Sequence, residues 1–537
     1  MELIDQHTKR IMEGCKERAR AAGLRFGDET LEYVVTNRDL LELTPKLMIP
    51  TLYDYWVHDV EVLKEKGRYE LYPGNPYETV INTRPAISFY NDNNPDWLNV
   101  MIFYHVLAHI DFFQNNFFFR HTWDYDLTGQ ALSDKRLIAG LRTRHGRWVD
   151  YVIEFARSID NLVGYFDELG RNEPPSPEKN SRRLDFYFDV FLQDMRKVRT
   201  ADYVKEINRY NECVKKRAGK GESDFFAETT KKYPEFEAIF EKSLEQKPAH
   251  RNDLLQFLMA HSEVLQRDEN KWMHPVLQVV RKTSIYFQPQ IRTKIMNEGW
   301  ASYWHEKLFL DDARIHGHEV EFARLHAGVA SLPRIGLNPY GLGMRLFQAV
   351  EENADQGRYT DAFQRLHDSG ARERYDAQTG QGKETIFRVR QHYSDFLFIQ
   401  SFVDQDFVNR HKLFIAERKL NQNRMVWEYV IKSRKAEDYR QMLLDSLYHP
   451  PRIEVDHDKC VGRILYLVHR FEGKPLVTDY IANTLLGIEF LWGGPVRLET
   501  SEGVRSGARE ADPEGEIEWR RVVYEMKERQ LFRRVLA

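Results

Sequence analysis

One stretch constrains this chain more than any other: His105-Val-Leu-Ala-His109-Ile-Asp111-Phe-Phe-Gln-Asn115-Asn116. Phe103, Val106, Leu107, Ile110, Phe112 and Phe113 make it apolar almost all round. A helix apolar on every face belongs inside a core, so other elements must pack about this segment. The helix is expected over about Asp96 to Asn115. Residues four apart share a helix face, so His105 and His109 enter that core together. Buried imidazoles need a partner for each ring nitrogen. Two solutions stay open: a polar network with Asp111, Asn115 and Asn116, or a metal ion held by both rings.

A second stretch, Asn297-Glu298-Gly-Trp-Ala-Ser-Tyr-Trp-His305, extends the metal solution. Glu298 and His305 lie close to two helical turns apart and so align. Two helices would then supply His105, His109, Glu298 and His305 as ligands. An unpaired buried carboxylate is costly, so Glu298 needs a partner whichever solution holds. Zinc is the first expectation for such a set, and iron or manganese also suits it. Two His and one Glu are the ligands of gluzincin peptidases, which place a general-base Glu directly after the first His. Here that position is Val106, which cannot take a proton. Asp111 is the first candidate for water activation or ligand support, and Glu306 the second. His326 is a further substitute, in a looser group with His316 and His318. Asn115 and Asn116 either orient ligands or cap the first helix.

Three motifs in order, HVLAHIDFFQNN, NEGWASYWH and Gly336-Leu-Asn-Pro-Tyr-Gly-Leu-Gly343, resemble the SpoVR family, named for a stage V sporulation protein. The resemblance extends to Tyr286-Phe-Gln-Pro-Gln290 and to the segment around Tyr393-Ser-Asp-Phe396. It implies a role in spore-cortex formation in spore-formers. Elsewhere it implies stress signalling beside a serine protein kinase and a von Willebrand-type domain protein. Relatives are often acidic before the Tyr-Phe-x-Pro-Gln segment, where this chain has Arg281-Lys-Thr-Ser284. Two functions follow: a metal-dependent, hydrolase-like enzyme, or a non-catalytic regulatory scaffold with a structural metal or polar core.

The bulk of the chain narrows the setting. Net charge is −4, so no global field draws nucleic acid or acidic membranes. Cys15, Cys213 and Cys460 form no C-x-x-C pair, which removes a local thiolate zinc site and suits a reducing compartment. No apolar run approaches the roughly 20 residues of a membrane span. The start Met1-Glu-Leu-Ile-Asp5 lacks the pattern of a signal peptide, so the cytoplasm is the expected address. Neither a Walker P-loop nor a dinucleotide fingerprint occurs, which weighs against nucleotide hydrolysis.

Along the chain, the periodicity predicts a mainly α fold. A large helical domain over 1–400 precedes a small α+β domain at 401–500 and a charged, partly helical tail at 501–537. Expected pieces include an amphipathic helix at 3–22, strands at 77–82 and 86–90, and a long helix from Ser133 to about Leu169. Gly170–Ser181 reads as a Pro-rich loop, Pro289 as a helix breaker, and the Asn338-Pro339 segment as a turn before a helix at 344–353. Strands are expected at 425–431, 452–456, 464–468 and 489–492, and a tail helix at 516–534.

Overall fold

The computed structural model describes residues 2–27, 29–36, 39, 78–122, 127–164, 181–196, 200–216, 221–245, 253–421, 426–505 and 517–536. The Pro-rich segment after Gly170 lies almost wholly outside them. The fold is mainly α with a small α+β part towards the C-terminus. Two compact units are present: residues 1–165 with 254–537, and residues 166–253.

The larger unit begins with strand β1 (Glu2–Leu3) and helix α1 (Gln6–Ala21), capped by the Asp5 carboxylate on Thr8 N–H. Strands β2 (Thr30–Val35), β3 (Glu78–Ile81) and β4 (Ala86–Asn91) complete a four-stranded sheet in the order β1-β2-β4-β3. Helix α2 (Asp96–Asn115) follows, and every residue from Leu98 to Phe113 is buried. The all-round apolar pattern is thus met by enclosure on all sides.

The helix expected from Ser133 is broken. Leu127–His145 ends at Gly146, whose φ of 58° no helix accommodates, and α3 (Trp148–Arg157) starts again beyond it. Pro289 does not break its helix: α4 runs Met273–Arg292 and ends three residues after it, with Thr293 at its C-cap. The Thr293 hydroxyl donates to the Pro289 carbonyl there. Helix α5 (Lys294–Leu310) starts at once, because the buried Asp395 carboxylate accepts from the Ile295 and Met296 N–H groups.

Helices α6 (Glu319–Ala330), α7 (Pro339–Asp355), α8 (Gly382–His392) and α9 (Asp395–Phe402) pack about α2 and α5. The Asn338-Pro339 segment is no separate turn. Asn338 caps α7 and Pro339 fills its first turn, so Gly341 and Gly343 lie inside the helix. Gly343 meets Gly299 of α5 backbone to backbone: a Cβ on Gly299 would stand 2.3 Å from the Gly343 carbonyl carbon. These glycines let two helices cross closer than any side chain permits.

This core continues past residue 400. It takes in Val403, Phe407, Leu413 and, on helix α10 (Ala436–Ser446), Tyr439 and Leu443. Strands β5 (Ile415–Asn421) and β6 (Val426–Ser433) form a separate antiparallel pair.

A second core joins early helices to a C-terminal sheet in the order β11-β10-β9-β8-β7. Its strands are β7 (Ile453–Val455), β8 (Leu465–His469), β9 (Val496–Arg505), β10 (Ile517–Lys527) and β11 (Gln530–Val535). Strands β8 and β9 are parallel, and α11 (Thr478–Trp492) is their crossover. The strand expected at 489–492 is therefore the end of α11: Ile481, Leu485, Ile488 and Leu491 bury one face, and Gly493 closes it at φ 81°. The tail helix is also corrected. Residues 517–535 form a hairpin, in which alternate residues Val522, Tyr524 and Met526 enter the second core while Val523 is buried outside that cluster. Glu528 and Arg529, both at positive φ, make its two-residue turn. The sheet packs on α11, and α11 packs on α3, so sheet and α11 share one core with Val149, Ile153, Val276 and Leu277 far upstream.

The smaller unit is helical, with an aromatic core of Tyr187, Phe191, Phe225, Phe226 and Phe236. Among the described residues, no helix is long and apolar enough to cross a membrane.

Candidate metal centre

The i, i+4 spacing on α2 brings the two rings edge to face, with His105 Nε2 3.1 Å from His109 Nε2. Helix α5 supplies the third group: Glu298 Oε2 lies 3.6 Å from His109 Nε2. One donor atom from each of His105, His109 and Glu298 lies within 4.8 Å of the others, with both histidines buried and the carboxylate partly so. Ligands at zinc-like bond lengths of about 2.0–2.1 Å in a tetrahedron stand about 3.3 Å apart. The two closest separations here bracket that edge.

His305 is not in this triad. It stands behind His105, with their Nδ1 atoms 2.9 Å apart. Its other nitrogen, Nε2, lies 2.8 Å from His326 Nδ1 on α6. His326 Nε2 in turn is 3.3 Å from Glu306 Oε1, and Gln348 Nε2 donates to Glu306 Oε2 at 2.9 Å. The ring of Tyr340 lies parallel to His105 at 6.2 Å, and Phe322 stacks on His326. Burial, then the neighbouring imidazoles, push His105 and His305 well below the ordinary histidine range, so both rings are neutral. A neutral imidazole is the form that binds a metal. The His326 contact, followed by burial in the opposite sense, keeps Glu306 below the usual carboxylate range.

Asp111 is engaged elsewhere. Its oxygens accept from Arg25 N–H at 2.7 Å and Trp300 Nε1–H at 2.9 Å, and Arg390 Nε lies 3.2 Å away. Burial pushes its carboxyl up to about 6, against the pull of Arg390 and those two donors. It braces four segments of the core. Asn115 donates to the Arg25 and Asp111 carbonyls, and Asn116 to the Arg390 and Tyr393 carbonyls. Both asparagines thus secure the end of α2.

The amide that does meet a histidine is Asn297, whose Oδ1 is 2.9 Å from His109 Nδ1. Its place directly before Glu298 was the available signal. His326 carried none, because no helical spacing links it to His305 across two helices. Its supposed neighbour His318 instead stacks against Trp97.

His105, His109 and Glu298, drawn from two helices and braced by polar neighbours, form a group that could hold a divalent metal ion, with the three-residue count of sites that keep one position open.

The family model described as SpoVR like protein matches residues 3–449. Among curated proteins, the chain is similar to one from Escherichia coli (strain K12) named uncharacterized protein YcgB. The two are 23% identical over 486 residues, which cover 87% of this chain and 86% of that one. No solved structure matches. The matched residues contain both site helices and the three motifs of α2, α5 and α7, and the chain belongs to the SpoVR family.

Proposed function

We propose that this protein is a metal-dependent enzyme of hydrolase type, holding one divalent cation on His105, His109 and Glu298. Zinc is the first choice, with iron or manganese as alternatives. The carrying observation is the convergence of two imidazole nitrogens and a carboxylate at 3.1 and 3.6 Å, the spacing of a tetrahedral edge. A zinc ion supplies Lewis acidity towards an amide or ester carbonyl. Val106 stands where the peptidase base would be, and Glu306, the second base candidate, reaches the site only from behind, through His326 and His305 to the Nδ1 side of His105, where it supports the ligand. Peptide or peptidoglycan-related bonds are the proposed substrates, and spore cortex or stress responses in the cytoplasm the proposed setting.

The test is elemental analysis by mass spectrometry on untagged protein beside a His105→Ala, His109→Ala double variant. Near-stoichiometric metal in wild type alone supports the reading and names the metal. A folded, metal-free wild type ends it.

A second reading is favoured by the missing base and by the apolar side chains of β5 and β6. Leu420, Trp427, Tyr429 and Ile431 are all exposed on that pair. In it the protein is a regulatory scaffold with a structural metal, working with a serine protein kinase and a von Willebrand-type domain protein. Saturated coordination, with no site open to a small anion such as azide in the cobalt form, would support it.

A further inference from the structure

Behind the cation site two hydrogen-bonded histidine pairs run from His105 through His305 to His326, and the Glu306 carboxylate stands at ion-pair distance beyond His326. This chain crosses three helices, from α2 through α5 to α6 and back to α5. We propose that His305, His326 and Glu306 are positioning residues that fix His105 in the tautomer whose Nε2 lone pair faces His109 and Glu298. The proposal rests on the metal reading above and adds the groups that orient its ligand.

The direction of the chain follows from donor and acceptor rules. A carboxylate attracts an N–H and repels a lone pair, so His326 Nε2, at an ion-pair distance of 3.3 Å from Glu306 Oε1, carries the proton. In its neutral form His326 has one N–H, so its Nδ1 then accepts. Its partner at 2.8 Å, His305 Nε2, therefore donates. His305 Nδ1 then accepts, and His105 Nδ1, 2.9 Å away, donates to it. That leaves a lone pair on His105 Nε2. From the other side, Asn297 Oδ1 accepts from His109 Nδ1, so His109 Nε2 also presents a lone pair. Two lone pairs 3.1 Å apart beside a carboxylate repel one another unless a cation lies among them.

Glu306 anchors the chain at its more solvent-reached end: its side chain is 28% exposed, against 11% for His326. Gln348 holds its second oxygen, so the carboxylate cannot turn away from His326 without losing that bond.

The experiment uses the full-length protein, with zinc affinity measured by chelator competition. Ring ¹⁵N shifts of histidine-labelled, metal-free protein give the tautomers independently of any metal. Glu306→Gln and His326→Gln are each expected to weaken zinc binding about 10- to 100-fold at unchanged one-to-one stoichiometry. Their double variant is expected to be no weaker than the worse single, because both act through one chain. His105 is expected as the Nδ1–H tautomer in wild type, with that preference lost in Glu306→Gln. Unchanged affinity in both variants, or His105 found as the Nε2–H tautomer, overturns the proposal. A wild type that binds no zinc yet shows the expected tautomers sinks the metal reading while upholding the chain.

Discussion

At His109, one side-chain amide decides which ring nitrogen faces the cation site. Asn297→Ala removes the acceptor on His109 Nδ1 and should weaken divalent-metal binding about 10-fold, read by chelator competition. Asn297→Asp keeps the acceptor and should keep the affinity; equal losses in both would mean the amide does no orienting. A different residue governs acid stability. Burial raises the Asp312 carboxyl, but bonds from Arg314 and the Tyr104 hydroxyl outweigh it and bring the group down to about 2. The folded value lies below the ordinary 3.8, so the folded state holds this proton less tightly than the unfolded chain. The stabilisation is present above that ordinary value and is lost as pH falls towards 2. It amounts to at most about 2 kcal/mol. Urea denaturation between pH 4.5 and 2.5 should show a steeper loss for wild type than for Asp312→Asn. Parallel curves would remove Asp312 from the acid response.

At the scale of elements, the site depends on how closely α5 and α7 cross. Gly299 lies beside Glu298, and a Cβ there would meet Gly343 backbone at 2.3 Å. The obstacle is main chain, which cannot rotate away as a side chain does. Gly299→Ala should therefore cost about 3 kcal/mol, at the upper end of overpacking effects, and should reduce bound metal by displacing Glu298. Denaturant titration with metal analysis checks both; a variant as stable as wild type would show the crossing to be loose. The helix carrying His105 and His109 was legible from its sequence, because sixteen consecutive buried residues leave an unmistakable apolar run. The strands at 489–492 and the helix at 516–534 were misread for one shared reason. Neither the short apolar run at 489–492 nor the charge-rich 516–534 carries a decisive period, and only the neighbours they pack on choose between helix and strand.

Across the larger unit, two cores divide the chain in a way that its linear order hides. The family-matched region ends at residue 449, yet Ile138, Val149, Ile153, Val276, Leu277 and Val280 inside it share one core with α11 and the sheet formed after it. A chain ended at residue 449 should expose that face, bind a hydrophobic dye such as ANS, and aggregate, while the first core with its cation site stays closed. A soluble, dye-silent fragment would show that the second core is dispensable. The expected boundary near residue 400 was drawn where strand patterns begin. The first core instead runs on through Leu443.

By itself the sequence determined that a helix near residues 96–115 would be buried, that it would carry two histidines on one face, and that Glu298 would need a partner. Those conclusions follow from helical periodicity and the cost of burying polar groups, which are local. Tertiary structure alone decided that His305 stands behind His105, that Asp111 braces the core, and that His326 and Glu306 complete the chain. These residues come from separate helices, and no spacing rule relates side chains whose distance is set by how helices cross. The Gly299–Gly343 contact sets how closely α5 and α7 cross, whereas the packing of α2 on α5 decides which of the candidate ligands meet.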